Sequence, residues 1–442
     1  MGMGLRALRG LASSDLIDRA GLRGPVEKLI YESSKNGFRT AASAGRAFSA
    51  ANKLAKPARQ KKRSAPKLFD LEPDEEQQML QEAFGDFGAQ RLRPIAQDAD
   101  AACAAPVELL KQGNELGATM LGIPEALGGA VTERSAVTSV LVSEKLAHGD
   151  MGLAAAILAP GAVATAISLW GDAEQQAKYL SPFTEDGAPA AALAVLEPRP
   201  LFDPFELQTT AKRTPDGFTL NGTKALVPRV ADAELFVIAA QIDTRDGQGR
   251  QGTGGEGPAL FIVESGTEGV SHEPEPAMGI RAAGTGRLVL EEVVLGPGAL
   301  LGGASPKVYS ECIQRGRLAW AALSLGTARA VLDYVIPYVN ERKAFGEPIS
   351  HRQAVAFTVA DIAIELEGMK LTTYRAASRA DQGKSFAKEA AIARHLAVDK
   401  GMQIGSSGVQ LLGGHGYVKE YPVERWYRDL RSAGVMEGAL LV

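Results

Sequence analysis

The chain has 442 residues, of which 45% are hydrophobic and 23% charged, a globular composition long enough for two or three packed domains. Its two cysteines, Cys103 and Cys312, lie far apart without metal-ligand spacing, which excludes a disulfide framework or a zinc site and leaves two buried thiols as the simple expectation. The net charge of −4 hides an asymmetry, because residues 1–70 carry 15 Lys/Arg against 5 Asp/Glu and the remainder 33 against 47.

Residues 1–70 read as a basic extension that closes in Lys61-Lys62-Arg63-Ser64-Ala65-Pro66, a charged linker ending in proline. A solvated tail is the simpler reading, and contact with an anionic membrane surface is the functional one. The start has no apolar segment like that of a secretory signal, and Asp15, Asp18, Glu27 and Glu32 argue against a transit peptide. No apolar run reads as reaching the roughly 18 residues of a membrane span. A bacterial cytoplasmic protein is therefore expected, with the mitochondrial matrix as the eukaryotic counterpart. Nucleic-acid binding is not expected, since the extension has little aromatic interleaving and no recognised DNA-binding motif.

Residues 71–186 show apolar positions at helical spacing, such as Val137, Val140, Leu141 and Leu146, with turns marked at Gly122 to Gly129. Residues 187–303 change to β-branched and alternating runs, including Phe218-Thr219-Leu220, Leu235-Phe236-Val237-Ile238, Leu260-Phe261-Ile262-Val263 and Leu288-Val289-Leu290 with Val293-Val294. From residue 304 to 442 long helical patterns return, at Leu318 to Val339 and Gln353 to Arg379. The fold class is accordingly α+β multidomain: an N-terminal helical domain, a middle β-barrel-like domain and a C-terminal helical bundle. Gly252-Thr253-Gly254-Gly255-Glu256-Gly257 matches a dinucleotide fingerprint formally, but it runs into Pro258 and a strand rather than opening a helix. It reads as a hairpin loop.

Near the C-terminus, Arg342-Lys343-Ala344-Phe345-Gly346, Gln353, Gln410-Leu411-Leu412-Gly413-Gly414-His415-Gly416-Tyr417, Glu420-Tyr421-Pro422-Val423-Glu424-Arg425 and Met436-Glu437-Gly438 follow in fixed order. Together with Leu169-Trp170-Gly171-Asp172, Asn221-Gly222-Thr223-Lys224 and Met278-Gly279-Ile280-Arg281, they resemble the acyl-CoA dehydrogenase family over about residues 74–442. The resemblance implies an FAD enzyme that oxidises an acyl-CoA to the trans-2-enoyl-CoA, passes electrons to an electron-transfer flavoprotein, and assembles as a homodimer or homotetramer. Glu437 stands where that family keeps its base. A carboxylate buried against apolar neighbours and a ligand is a stronger base than a free one. The other place the family uses for a base is occupied by Gly316, and Arg317 matches the arginine near substrate and base.

For the cofactor, Arg342 offers bidentate bonds to a pyrophosphate and Phe345 packing against an aromatic ring. Gln353 offers amide contacts, and Gly413-Gly414, after Gln410 and Leu411, offers close approach of the backbone to phosphate. Read alone, Gly413-Gly414 is a helix C-cap. The resemblance implies that these residues reach FAD bound by a neighbouring subunit, that Glu197 and Leu226 lie by the cofactor, and that Phe202 and Gly438 lie by the substrate. No metal is expected.

The chain departs from the family pattern at Leu196-Glu197-Pro198-Arg199-Pro200-Leu201-Phe202-Asp203, where small polar residues are usual, and at Leu226-Val227-Pro228, where Pro228 has no N–H to offer a flavin. Those departures keep open a weakly catalytic or non-catalytic partner subunit. Another flavin chemistry on the same fold, such as a nitroalkane oxidase or a monooxygenase, is disfavoured by Glu437. The pattern also continues as a helix beyond the base, whereas this chain stops at Val442, so either it is truncated or a neighbouring element completes the site.

Overall fold

The computed structural model describes residues 72–129, 131–185, 188–243 and 257–442. The basic extension and the glycine-rich stretch 251–256 lie outside the described residues.

Among the described residues, six α-helices come first: α1 Glu75–Phe87, α2 Arg93–Ala102, α3 Val107–Glu115, α4 Ala136–Gly149, α5 Met151–Trp170 and α6 Ala173–Tyr179. Asp74 and Asp172 open α1 and α6 as capping boxes with Gln77 and Gln175, satisfying amides that the first helical turn leaves unpaired. α5 corrects one expectation. Its 20 residues are long and apolar enough to cross a membrane by length and composition, yet most of the helix is buried in the protein core. The all-round apolar character of a fully buried helix gives the same signal as a span.

The middle domain contains β1 Ala191–Ala194, β2 Thr210–Thr214, β3 Gly217–Val227, β4 Leu235–Asp243, β5 Gly257–Glu264, β6 Val270–Pro274, β7 Gly286–Leu295 and β8 Leu300–Leu301. One edge of β4 is shared, its first half pairing in parallel with β1 and its second half with β2, while β5 runs antiparallel along the other edge. β3, β7 and β6 continue the sheet from β2. Alternation divides the side chains of β1: Ala191 and Leu193 join a core shared with α5, whereas Ala192 and Ala194 join the core inside the sheet.

The C-terminal helices are α7 Pro306–Glu341, α8 Gln353–Asp381, α9 Ala387–Leu412 and α10 Val423–Ser432. Between α7 and α8 the short strands β9 Lys343–Ala344 and β10 Glu347–Pro348 form a hairpin. α7 crosses α4 at Gly326, where a Cβ would collide with the Glu144 carbonyl. Asp381, ending α8, accepts bonds from Ser135 Oγ at 2.8 Å and from the amides of Ala136 and Val137 at 2.6 and 3.1 Å, so it caps α4 together with Ser135.

Met278-Gly279-Ile280-Arg281 is a junction. Asp429 Oδ1 accepts the Ile280 amide at 2.6 Å, and Arg428 forks onto Asp100 at 2.9 and 3.0 Å while also donating to the Met278 carbonyl at 2.9 Å. α2, the sheet domain and α10 are thereby tied at one place. Cys312 is buried as expected, but Cys103 is exposed, with Arg281 Nη2 at 3.2 Å from its sulfur.

A last strand, β11 Gly438–Ala439, pairs antiparallel with β1, joining Leu193 to Ala439 and Ala194 to Gly438. The segment that carries Glu437 is thus an edge strand of the middle sheet.

Candidate active site

Glu437 sits on the turn between α10 and β11. Both residues of β11 are left-handed, Gly438 at φ 68° and Ala439 at φ 65°. At Gly438 a Cβ would stand 2.7 Å from Val195 Cβ, so the position admits only glycine on two counts. Trp320, fully buried on α7, donates from Nε1 to the Gly438 carbonyl at 2.8 Å. Met436, Ala439, Leu440 and Val442 pack into the helical core, so the turn is held on both sides.

The Glu437 side chain is 11% exposed and is gripped by Arg317 on α7. Arg317 Nε lies 3.0 Å from Oε1 and 3.2 Å from Oε2, and its Nη2 lies 3.0 Å from Oε1. This charge-assisted fork fixes the plane and direction of the carboxylate. Arg394 on α9 stands behind it, with Nη2 at 3.8 Å from Oε1 and at 2.6 Å from the Met436 carbonyl oxygen that it bonds. The expectation of an apolar setting for Glu437 is therefore corrected, because its nearest charged neighbours are two guanidiniums. Gly316 faces the same turn, and a Cβ there would meet Gly438 Cα at 3.4 Å. A carboxylate at either place would reach one small region.

Leu196, Phe202 and Leu226 pack into the same apolar cluster as Met436 and Leu440, Leu196 fully and the other two in part. Leu226 is left-handed at φ 49°, and its amide is taken by Glu275 Oε2 at 2.7 Å. Leu201, next to Phe202, is fully exposed. Glu197 departs from the role expected of it. Its oxygens accept the amides of Gln208 and Thr209 at 2.7 and 2.8 Å and the Lys224 ammonium at 2.9 Å, which leaves it no face for a cofactor. Burial pushes the Glu197 carboxyl up, but Lys224 and the two amides outweigh it and hold the group below the usual carboxylate range. Burial draws the Lys224 ammonium down to about 8 against the attraction of Glu197. The pair is a buried post that fixes the start of the Pro198–Asp203 loop to β3.

A second group gathers where α7 and α9 end and α8 begins. Arg342 closes α7, Phe345 is 97% exposed at φ 57°, Gln353 opens α8, and Gln410 is exposed on the last turn of α9. Gly413 ends α9 at φ 57° and ψ −128°, a backbone open to glycine but outside the αL geometry of a usual C-cap, and a Cβ on Gly413 or Gly414 would meet nothing within 4 Å. Leu411 is corrected, since it is buried in the helical core and its side chain is not presented to a ligand. Beneath the turn, Tyr338 bonds the Leu412 carbonyl at 3.3 Å and the His415 ring at 2.8 Å, and His415 stacks on Tyr421 at 4.6 Å. An exposed guanidinium beside an open glycine turn suits a pyrophosphate, and exposed Phe345 suits an aromatic ring, so these residues fit the nucleotide part of FAD.

Sequence reasoning missed two residues. Trp320 carried a signal, since it lies three residues after Arg317 and so on the same face of α7. Arg394 carried none, because its approach to Glu437 depends on how α9 packs.

Residues 74–186, 192–293 and 307–440 match the acyl-CoA dehydrogenase N-terminal, middle and C-terminal domain families. The mouse mitochondrial short-chain specific acyl-CoA dehydrogenase is 34% identical over 376 residues, covering 83% of this chain and 88% of that protein. The 3-(aryl)acrylate reductase of Clostridium sporogenes is 31% identical over 368 residues, covering 82% and 95%. Among solved structures, butyryl-CoA dehydrogenase from Megasphaera elsdenii superposes with a TM-score of 0.75 at 31% identity over 84% of this chain and 96% of that one. With all three domains matched in order, the chain belongs to the acyl-CoA dehydrogenase family of FAD-dependent oxidoreductases.

Proposed function

We propose that this protein removes two hydrogens across the α,β bond of a short acyl-CoA thioester to give the trans-2-enoyl-CoA. The supporting observation is the Glu437 carboxylate, held in a bidentate fork by Arg317 on a turn pinned to β1 and to Trp320. Glu437 takes the α-proton and becomes the carboxylic acid. Arg317 sets the direction of the accepting oxygen before substrate arrives, so little reorganisation is left for the chemical step. FAD, when bound, supplies the acceptor for the hydride leaving the β-carbon. The apolar side chains of Leu196, Phe202 and Leu226 keep water from the reacting carbons. A short acyl chain is favoured because the mouse and Megasphaera relatives are named for short-chain substrates. The electrons pass to an electron-transfer flavoprotein.

The functional unit is an oligomer, a homodimer or a homotetramer. Arg317 lies on α7 and Arg342 caps its end 25 residues later, about 37 Å along the helix axis, more than one dinucleotide spans. The Arg342 group therefore serves the cofactor of a neighbouring copy. Along α8, Phe357, Ile364 and Leu371 recur every seven residues and are 63%, 68% and 45% exposed, an apolar stripe that suits contact between copies.

The test is product analysis. Purified protein, FAD and an electron-transfer flavoprotein should convert butyryl-CoA to crotonyl-CoA, and Glu437→Gln should lose at least about a thousandfold in rate, as expected when the proton acceptor is removed. A second reading, a partner subunit that binds flavin weakly, is favoured by the occupied Leu226 amide. It predicts a colourless protein that gives no product until a companion chain is added.

A further inference from the structure

We infer that Arg394 is a positioning residue for the dehydrogenation assigned above: it holds the Met436–Glu437 main chain and supplies a second fixed cation beside the Glu437 carboxylate. The inference rests on the proposed role of Glu437.

Three observations carry it. First, Arg394 Nη2 bonds the carbonyl oxygen of Met436 at 2.6 Å, so it grips the residue immediately before Glu437. Second, the same nitrogen stands 3.8 Å from Glu437 Oε1, on a helix other than the one that carries Arg317. Third, Nη1 is buried and has no hydrogen-bond partner among the described residues. A buried guanidinium nitrogen left unpaired is costly, and here it belongs to the side chain that backs the carboxylate. With Arg317 setting the direction of the carboxylate, that unpaired donor keeps a second cation beside its oxygens. Burial pulls the Arg394 guanidinium below its usual range, Glu437 pulls it back up and Arg317 opposes this, as expected of one carboxylate between two arginines.

Among the described residues, the charged groups that face Glu437 are Arg317 from α7 and Arg394 from α9; Tyr309, also on α7, feels its charge at longer range, its phenol pushed up by burial first, then by Cys312, Glu197 and Glu437. Removing either cation disfavours the ionised carboxylate, so protonation of Glu437 should persist to higher pH.

The experiment compares wild type with Arg394→Met, Arg394→Gln and Arg394→Lys. Two readouts are taken: the pH dependence of flavin bleaching by butyryl-CoA, and the infrared carbonyl band of protonated Glu437 in substrate-free protein, assigned by its loss in Glu437→Gln. Arg394→Met should move the acid limb and the infrared midpoint to higher pH by about tenfold in proton concentration, and lower the bleaching rate about 10- to 100-fold with KM changed less than about threefold. Arg394→Lys should keep the wild-type midpoint. Arg394→Gln retains a donor for the Met436 carbonyl without the charge, and should show the same midpoint movement even where Arg394→Met fails to fold. The inference is overturned if the Gln and Met variants that fold titrate as wild type does. Because the infrared readout needs no turnover, it still decides the inference if wild type fails to oxidise any acyl-CoA, an outcome that would count against the proposed function alone.

Discussion

Lys224→Met tests the reassignment of Glu197 from cofactor contact to buried post. Lys224 and Glu197 are 0% and 2% exposed, with 2.9 Å between Nζ and Oε1, and Nζ also donates to the Val195 carbonyl at 3.2 Å. Methionine keeps most of the volume, so the packing change contributes little. What remains is a buried carboxylate that has lost its cation, for which breaking one partner of a buried pair costs about 3–5 kcal/mol. The two amide bonds from Gln208 and Thr209 remain and place the expected loss at the lower end of that range. Urea unfolding followed by far-UV circular dichroism should therefore show a lower midpoint with an unchanged slope. Adding Glu197→Gln to Lys224→Met should recover part of the loss, because the double variant no longer buries an unpaired charge. A cost below about 1 kcal/mol for Lys224→Met would refute the reasoning. So would a Glu197→Gln protein of unchanged stability that no longer retains FAD, since that is the behaviour of a cofactor ligand.

Gly438→Ala places a Cβ at φ 68° and against the Val195 side chain, so it should cost on the order of 2–4 kcal/mol and displace Glu437; a thermal melt and the bleaching rate should fall together. Ile364→Glu on the exposed stripe of α8 should shift the protein toward monomer in sedimentation velocity and lower FAD retention, whereas an unchanged assembly would remove α8 from the interface. Asp429 gives a pH signature. Burial, then the Asp150 carboxylate, pushes its carboxyl up to about 8. The folded state then holds a proton that the unfolded chain releases near 4, so this group's contribution to stability falls as pH rises from about 4 to 8, by at most about 1.4 kcal/mol per pH unit. Asp429→Asn keeps an oxygen for the Ile280 amide, and its stability should fall less steeply than that of wild type over the same window; equal slopes would contradict the assignment.

Much of the fold was legible because its signals are local. The continuous apolar runs at Leu235-Phe236-Val237-Ile238 and Leu260-Phe261-Ile262-Val263 became β4 and β5, and the long helical pattern ending at Arg379 became α8, which runs to Asp381. Residues whose meaning depends on distant packing were misread. Glu197 looks like a loop carboxylate until Lys224 of β3 and the amides of Gln208 and Thr209 close around it. The two-residue strand β11 is too short to show a period, and its pairing with β1 spans the whole sheet domain and the C-terminal helices in sequence. α5 hides its role for another reason, since a helix buried on all faces has no polar side to reveal its orientation. Near the base, Arg317 was legible from a motif on its own helix. Arg394 was not, because one arginine among the polar residues of α9 differs from the others only in what it meets.

The central claim is that Glu437 removes the α-proton of a bound acyl-CoA. Its most direct test is the anaerobic visible spectrum of the purified protein before and after butyryl-CoA is added, for wild type and for Glu437→Gln. The account predicts a flavin spectrum that bleaches in wild type and stays yellow in Glu437→Gln, which should still bind FAD. A colourless protein that remains so with added FAD, or equal bleaching in both proteins, would contradict it.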